Sequence, residues 1–148
     1  MANYRQPADF YFLRMALLVS ERGTCVRRKV GCILVNKKNH VLATGYNGNP
    51  SGFSHCLDNP CKGANSTSGK DLDKCEAIHA EQNALLQCKD VYDIHTVYCT
   101  VSPCIHCVKL LLNTSAKIAS IIQAAIGCFQ FFIVFLTPSR AISSYFLL

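Results

Sequence analysis

Charge is scarce in this chain of 148 residues: 16% of them are charged, against 50% that are apolar. That balance excludes intrinsic disorder for most of the sequence. The length suits one compact domain rather than two, and such a domain buries roughly two-thirds of its unfolded surface. Acid is scarcer than base. Nine Asp and Glu stand against fifteen Lys and Arg, a net charge of +6. The excess suits an anionic small molecule or a nucleic acid without choosing between them. No acidic residue follows Asp93, and the only basic ones beyond it are Lys109, Lys117 and Arg140. There is no internal repeat, and Met1 to Gln6 carry no apolar signal-peptide core. Ten cysteines are too few for a disulfide-built scaffold. They are expected to be reduced in a cytoplasm, which raises the question of which bind metal.

Pro7, Ala8 and Asp9 open a helix, with Asp9 as cap or first-turn acid. Phe10, Leu13, Leu17 and Leu18 continue it at helical spacing until Ser20 to Gly23. Val30 to Val35 and Val41 to Tyr46 are β-prone runs joined by a polar turn, an antiparallel hairpin. Asn47 to Asp73 is a long polar loop, and a loop of that length is usually functional or tied down by something such as a metal. A second helix is expected over Ile78 to Gln87 and a third strand over Thr96 to Thr100. Pro103, at a first helical position, opens a third helix through Leu112. Strands alternating with helices point to an α/β layered fold.

The chemistry sits in two short motifs, His79-Ala80-Glu81 and Pro103-Cys104-Ile105-His106-Cys107. One imidazole and two thiolates make three protein ligands for zinc, the number a catalytic site uses when it keeps its fourth position for water. Cys104 and Cys107 are three apart, so a helix puts them on one face, and a helix N-terminus favours the thiolate. Glu81 points elsewhere from His79 and is read as a proton shuttle rather than a ligand. A zinc ion lowers the pKa of a bound water to roughly 7, which makes hydroxide available at neutral pH. The alternative is a closed zinc knot in which Glu81 is a solvated helix residue; that needs a fourth ligand nearby.

The H-x-E…P-C-x-x-C pattern is the signature of zinc deaminases. Together with Arg22-Gly23-Thr24-Cys25-Val26-Arg27-Arg28-Lys29-Val30-Gly31 and Gly45-Tyr46-Asn47-Gly48-Asn49-Pro50-Ser51-Gly52, it closely resembles deoxycytidylate (dCMP) deaminases over residues 8 to 115. The resemblance implies a three-layer α/β/α cytidine-deaminase-like fold, with a mixed five-stranded sheet and helices on both faces. It implies hydrolysis of dCMP to dUMP and ammonia, supplying thymidylate synthesis. Zinc would be held by His79, Cys104 and Cys107, and Glu81 would shuttle protons as hydroxide attacks C4. Asn47 would contact the deoxyribose, and the backbone at Ala80 and Ser102 would read the cytosine edge. Arg27 and Arg28 are the candidates for the phosphate, through bidentate charge-assisted bonds; the alternative for the Arg27-Arg28-Lys29 run is a solvated basic face. The family also suggests a homo-oligomer, usually a hexamer, and control by dCTP and dTTP around Gly48 to Gly52. The expected location is cytoplasmic, or the host cytoplasm for a viral chain.

Several family members carry a second, structural zinc in the long-loop region. Here Cys25, Cys56, Cys61 and Cys75 are its expected ligands, with His55 as a replacement for one; the alternative is free, partly buried thiols. Cys32, Cys88, Cys99 and Cys128 fall on apolar positions and read as core.

The resemblance fades after Leu112. Residues 1–115 are read as the deaminase core and 116–148 as an atypical apolar segment that could complete the same domain. Ile118 to Ile122 and Gln130 to Leu136 are its candidate fourth and fifth strands. The segment is a divergent but foldable end, an aberrant end from a shifted frame or splice, or a run long enough to span a bilayer. Two Gln and a Ser within Ile118 to Leu136 argue against the membrane.

Two other functions remain. A different zinc deaminase could act on cytosine, tRNA adenosine or single-stranded nucleic acid. A polymer substrate wants a basic track with stacking aromatics, and only Arg27 to Lys29 and Lys37-Lys38 offer basic clusters, so no stable nucleic-acid partner is expected. Alternatively, the chain is a catalytically defective zinc-binding module, a reading that leaves Glu81 without a use.

Overall fold

The computed structural model describes residues 5–67, 70–125, 128–135 and 142–144. Its first helix, α1, spans Ala8–Ser20 with Pro7 at the N-cap and Asp9 as the first-turn acid. The hairpin forms as its pattern demands, with β1 at Gly31–Val35 and β2 at Val41–Tyr46 in antiparallel register. Asn36 organises the turn, its Oδ1 accepting from the Lys38 and His40 N–H groups at 3.0 Å each. Asn39 takes the left-handed conformation there, at φ 62°.

Every residue of β1 is buried, as a run covered on both faces must be. Ile33 and Val35 pack with Phe12, Leu13 and Ala16 of α1. Cys32 and Leu34 pack on the other face with Ala80 and Ala84 of α2, which spans Ala80–Gln87. Helices therefore cover both faces of the sheet. The thiols of Cys32 and Cys99 belong to that core, whereas Cys88 is half-buried at the C-cap of α2. The Cys128 side chain lies outside the described residues.

Beyond α2 come β3 at Thr96–Cys99, α3 at Ile105–Leu112, β4 at Ile118–Ala125, β5 at Cys128–Phe135 and β6 at Ile142–Ser144. The strand order is β2-β1-β3-β4-β5-β6. Among the described residues only β3 and β4 pair in parallel, and α3 provides the crossover that a parallel pair requires. The described sheet thus has six strands where five were expected, because β6 adds an antiparallel edge to β5.

The apolar tail folds back on itself. Residues of β4 and β5 pair from Ile118 with Phe135 to Ala125 with Cys128. That pairing divides the stretch read as a bilayer-length run into two strands, and no helix among the described residues is long and apolar enough to cross a membrane. Leu136, the expected end of the fifth strand, lies outside the described residues.

Candidate active site

Both candidate metal-binding motifs sit at helix N-caps. α2 starts at Ala80 rather than Ile78, which puts His79 at its N-cap, while Ile78 forms an isolated bridge with Gly48. α3 starts at Ile105 with Cys104 as its N-cap, so Pro103 precedes the helix instead of occupying its first position. The Gln82 Oε1 accepts from the His79 backbone N–H at 2.9 Å. This reach from the third helical residue back to the N-cap was legible as a His-x-x-Gln spacing, yet sequence reasoning passed over it. Gly45 of β2 was missed as well. A Cβ there would collide with the Ala80 carbonyl oxygen and the Ala84 nitrogen, so only glycine lets α2 lie this close to the sheet.

The Nδ1 of His79 lies 3.4 Å from the Sγ of Cys104 and 3.4 Å from the Sγ of Cys107. Tetrahedral zinc with ordinary Zn–N and Zn–S bonds puts such atoms about 3.5 Å apart. All three donor atoms fall within 4.8 Å of one another, and among the described residues no fourth His, Cys, Asp or Glu completes the group. The donor set fits zinc with an open position better than a closed knot.

Glu81 is 4% exposed and contacts Cys107. Burial raises its pKa, against the opposing influence of its own backbone N–H, the His79 charge and the Cys107 hydrogen bond. Burial, then the charges of Glu81 and Cys104, also push the Cys107 thiol up. Two thiolates and a carboxylate crowded together need a cation, and a divalent metal is the partner this donor set suits. Beside the triad opens a cavity of about 430 Å³, lined among others by His79, Glu81, Cys104, Asn47, Arg27 and Arg28.

Residues 7–124 match the family described as the cytidine and deoxycytidylate deaminase zinc-binding region. The chain belongs to this deaminase family. It is 40% identical over 140 residues to the deoxycytidylate deaminase of Schizosaccharomyces pombe, covering 83% of this chain and 43% of that protein. The enzyme of the same name from Saccharomyces cerevisiae is 38% identical over 117 residues, covering 77% of this chain and 37% of that one. The chain thus spans less than half the length of these two curated relatives. A dCMP deaminase from cyanophage S-TIM5, solved in complex with dCMP and dUMP, superposes with a TM-score of 0.62 at 28% identity, covering 81% of this chain and 85% of that one. The fold is therefore the α/β fold of cytidine deaminases, and the family match reaches past Leu112, where the motif resemblance fades.

The other positions singled out by the deaminase motifs gather around this cavity, with differences in detail. Ala80 and Ser102 line it. Asn47 lines it too, but its carboxamide also stitches the chain together: Oδ1 accepts from the Val30 N–H and Nδ2 donates to the Arg28 carbonyl, both at 2.8 Å. Arg28 is exposed, and no described residue hydrogen-bonds its guanidinium. The Arg27 guanidinium instead donates to two loop carbonyls, Thr67 at 2.6 Å and Lys70 at 3.1 Å.

The loop thiols form a loose cluster. The Sγ atoms of Cys56 and Cys61 are 3.8 Å apart, and Cys61 also contacts Cys75. Backbone hydrogen bonding from Glu76 lowers the Cys61 pKa, while burial raises that of Cys75. Cys25 is buried and lines the same cavity, along with Cys75. His55 is exposed on the loop. Among the described residues, no three of these groups come within 4.8 Å of one another.

Proposed function

We propose that this chain is a zinc-dependent deaminase that hydrolyses dCMP to dUMP and ammonia. The observation that carries the reading is the buried Glu81 carboxyl, against Cys107, at the wall of a cavity lined also by His79, Cys104 and Arg28. The names of the yeast relatives and the dCMP and dUMP bound to the cyanophage enzyme support the same substrate.

His79, Cys104 and Cys107 would hold zinc, which supplies a Lewis acid that lowers the pKa of water to about 7. Glu81 takes the proton of the attacking water and moves it to the pyrimidine N3. It then carries a proton to the departing amino group, so that water and dCMP leave as ammonia and dUMP. Its burial suits this traffic, because a raised pKa brings a carboxyl nearer the working pH. Ala80 and Ser102 offer backbone groups to the base, Asn47 meets the sugar, and Arg28 holds the phosphate.

A structural zinc held by Cys25, Cys56, Cys61 and Cys75 belongs to the same reading. Its support is the 3.8 Å between Cys56 and Cys61, near the thiolate separation of about 3.8 Å across tetrahedral zinc. Residues 116–148 are read as completing the domain, on the strength of the β3–β4 pairing. A homo-oligomer and control by dCTP and dTTP rest on the resemblance alone. Thiolate ligands suit a reducing cytoplasm.

The test is ammonia release by zinc-loaded protein given dCMP, deoxycytidine, cytosine and a single-stranded oligonucleotide. Turnover fastest on dCMP supports the proposal. Faster turnover of the polymer or the free base overturns the substrate.

A further inference from the structure

Arg27 and Arg28 are neighbours in sequence and both line the cavity, yet their guanidinium groups are in different situations. Arg28 is exposed, and its guanidinium hydrogen-bonds no described residue. Arg27 is half-buried and reaches across to residues forty and more positions away, the carbonyls of Thr67 and Lys70. Those carbonyls belong to the loop that brings Ala64 and Ser66 into the cavity lining.

The loop is fastened to itself beyond this point. Ser66 donates to Asp71 at 2.9 Å, Lys74 pairs with Asp71 at 3.0 Å, and the Gly63 N–H donates to the Lys74 carbonyl at 3.1 Å. Near its base, Cys61 contacts Cys56 and Cys75. Among the described residues, the Arg27 bonds are the side-chain hydrogen bonds that join this stretch to the basic segment before β1. Two charge-assisted bonds to carbonyls fit a guanidinium used as a clamp.

We propose that Arg27 is a positioning residue that latches the loop stretches 61–67 and 70–75 as one wall of the substrate cavity, and is not a phosphate ligand. The proposal rests on the deaminase reading of this cavity, with Arg28 left as the phosphate contact. The wall serves the whole nucleotide. Losing the latch therefore weakens dCMP and deoxycytidine alike, whereas losing a phosphate ligand weakens dCMP alone.

Hydrogen–deuterium exchange on the zinc-loaded full chain tests the latch without relying on turnover. In Arg27→Ala, amides across 63–67 and 70–74 should exchange at least about tenfold faster than in the parent, as expected when charge-assisted bonds that close a local segment are lost. Arg28→Ala should leave them unchanged. In the steady state, Arg27→Ala should raise KM by a similar factor for dCMP and deoxycytidine, about threefold or more, with kcat kept within about twofold. Arg27→Lys should recover part of both effects. If Arg27→Ala does not fold, Arg27→Gln carries the same comparison. Unchanged loop exchange in the Arg27 variant overturns the proposal, and so does a KM rise confined to dCMP. If the parent does not turn over dCMP, the deaminase reading fails while the exchange contrast still decides the latch.

Discussion

The Nδ1 of His79 lies 3.4 Å from the Sγ of Cys104, although the two belong to different helices and stand 25 residues apart. Each is the N-cap of its helix, so two helix starts converge on one candidate metal site. The positive ends of both helices then favour the thiolates and the carboxylate gathered there.

Metal content should follow this arrangement. Cys107→Ala should lose the zinc held by the triad, while Cys61→Ser should leave it and lose the loop zinc. Elemental analysis after dialysis reads both. Ligand substitution in a three-donor site should weaken zinc by well over the roughly tenfold to hundredfold seen for supporting residues. Equal zinc in Cys107→Ala and the parent contradicts the assignment.

Gly45 should be as sensitive as a ligand without touching the metal. A methyl group there meets the Ala80 and Ala84 backbone directly. Overpacking of this kind costs about 1–3 kcal/mol, read as a lower urea midpoint for Gly45→Ala. Because α2 carries Glu81 and begins next to His79, zinc affinity should fall with stability.

Arg28 should discriminate nucleotide from nucleoside. Removing a charge-assisted phosphate contact costs about 1.5–3 kcal/mol, so Arg28→Ala should raise KM for dCMP by about tenfold or more. The effect on deoxycytidine should be small. Equal losses on the two substrates would place the phosphate elsewhere.

Much of the site was legible because its chemistry is written locally. His79, Glu81, Cys104 and Cys107 fall in two short motifs, and the spacing alone puts the cysteines on one helix face. The hairpin was legible for the same reason, since its β-branched runs and polar turn are contiguous. Residues whose roles depend on distant partners were not legible. Gly45 matters because of a helix that comes 35 residues later, and nothing around it in sequence announces that contact. Arg27 was grouped with Arg28 by composition, and only the folded chain separates them. In the tail, apolar content could not distinguish a bilayer-length run from two paired strands; the register of β4 with β5 does.

Glu81→Gln tests the central claim most directly, with bound zinc and ammonia release from dCMP measured on the same preparation. The substitution keeps the side chain's size and removes its capacity to carry protons. A variant that retains the parent's zinc while losing about 10²–10⁴-fold in kcat is the expected result. A zinc-loaded Glu81→Gln protein that deaminates dCMP as fast as the parent would contradict the assignment of Glu81 as the proton carrier.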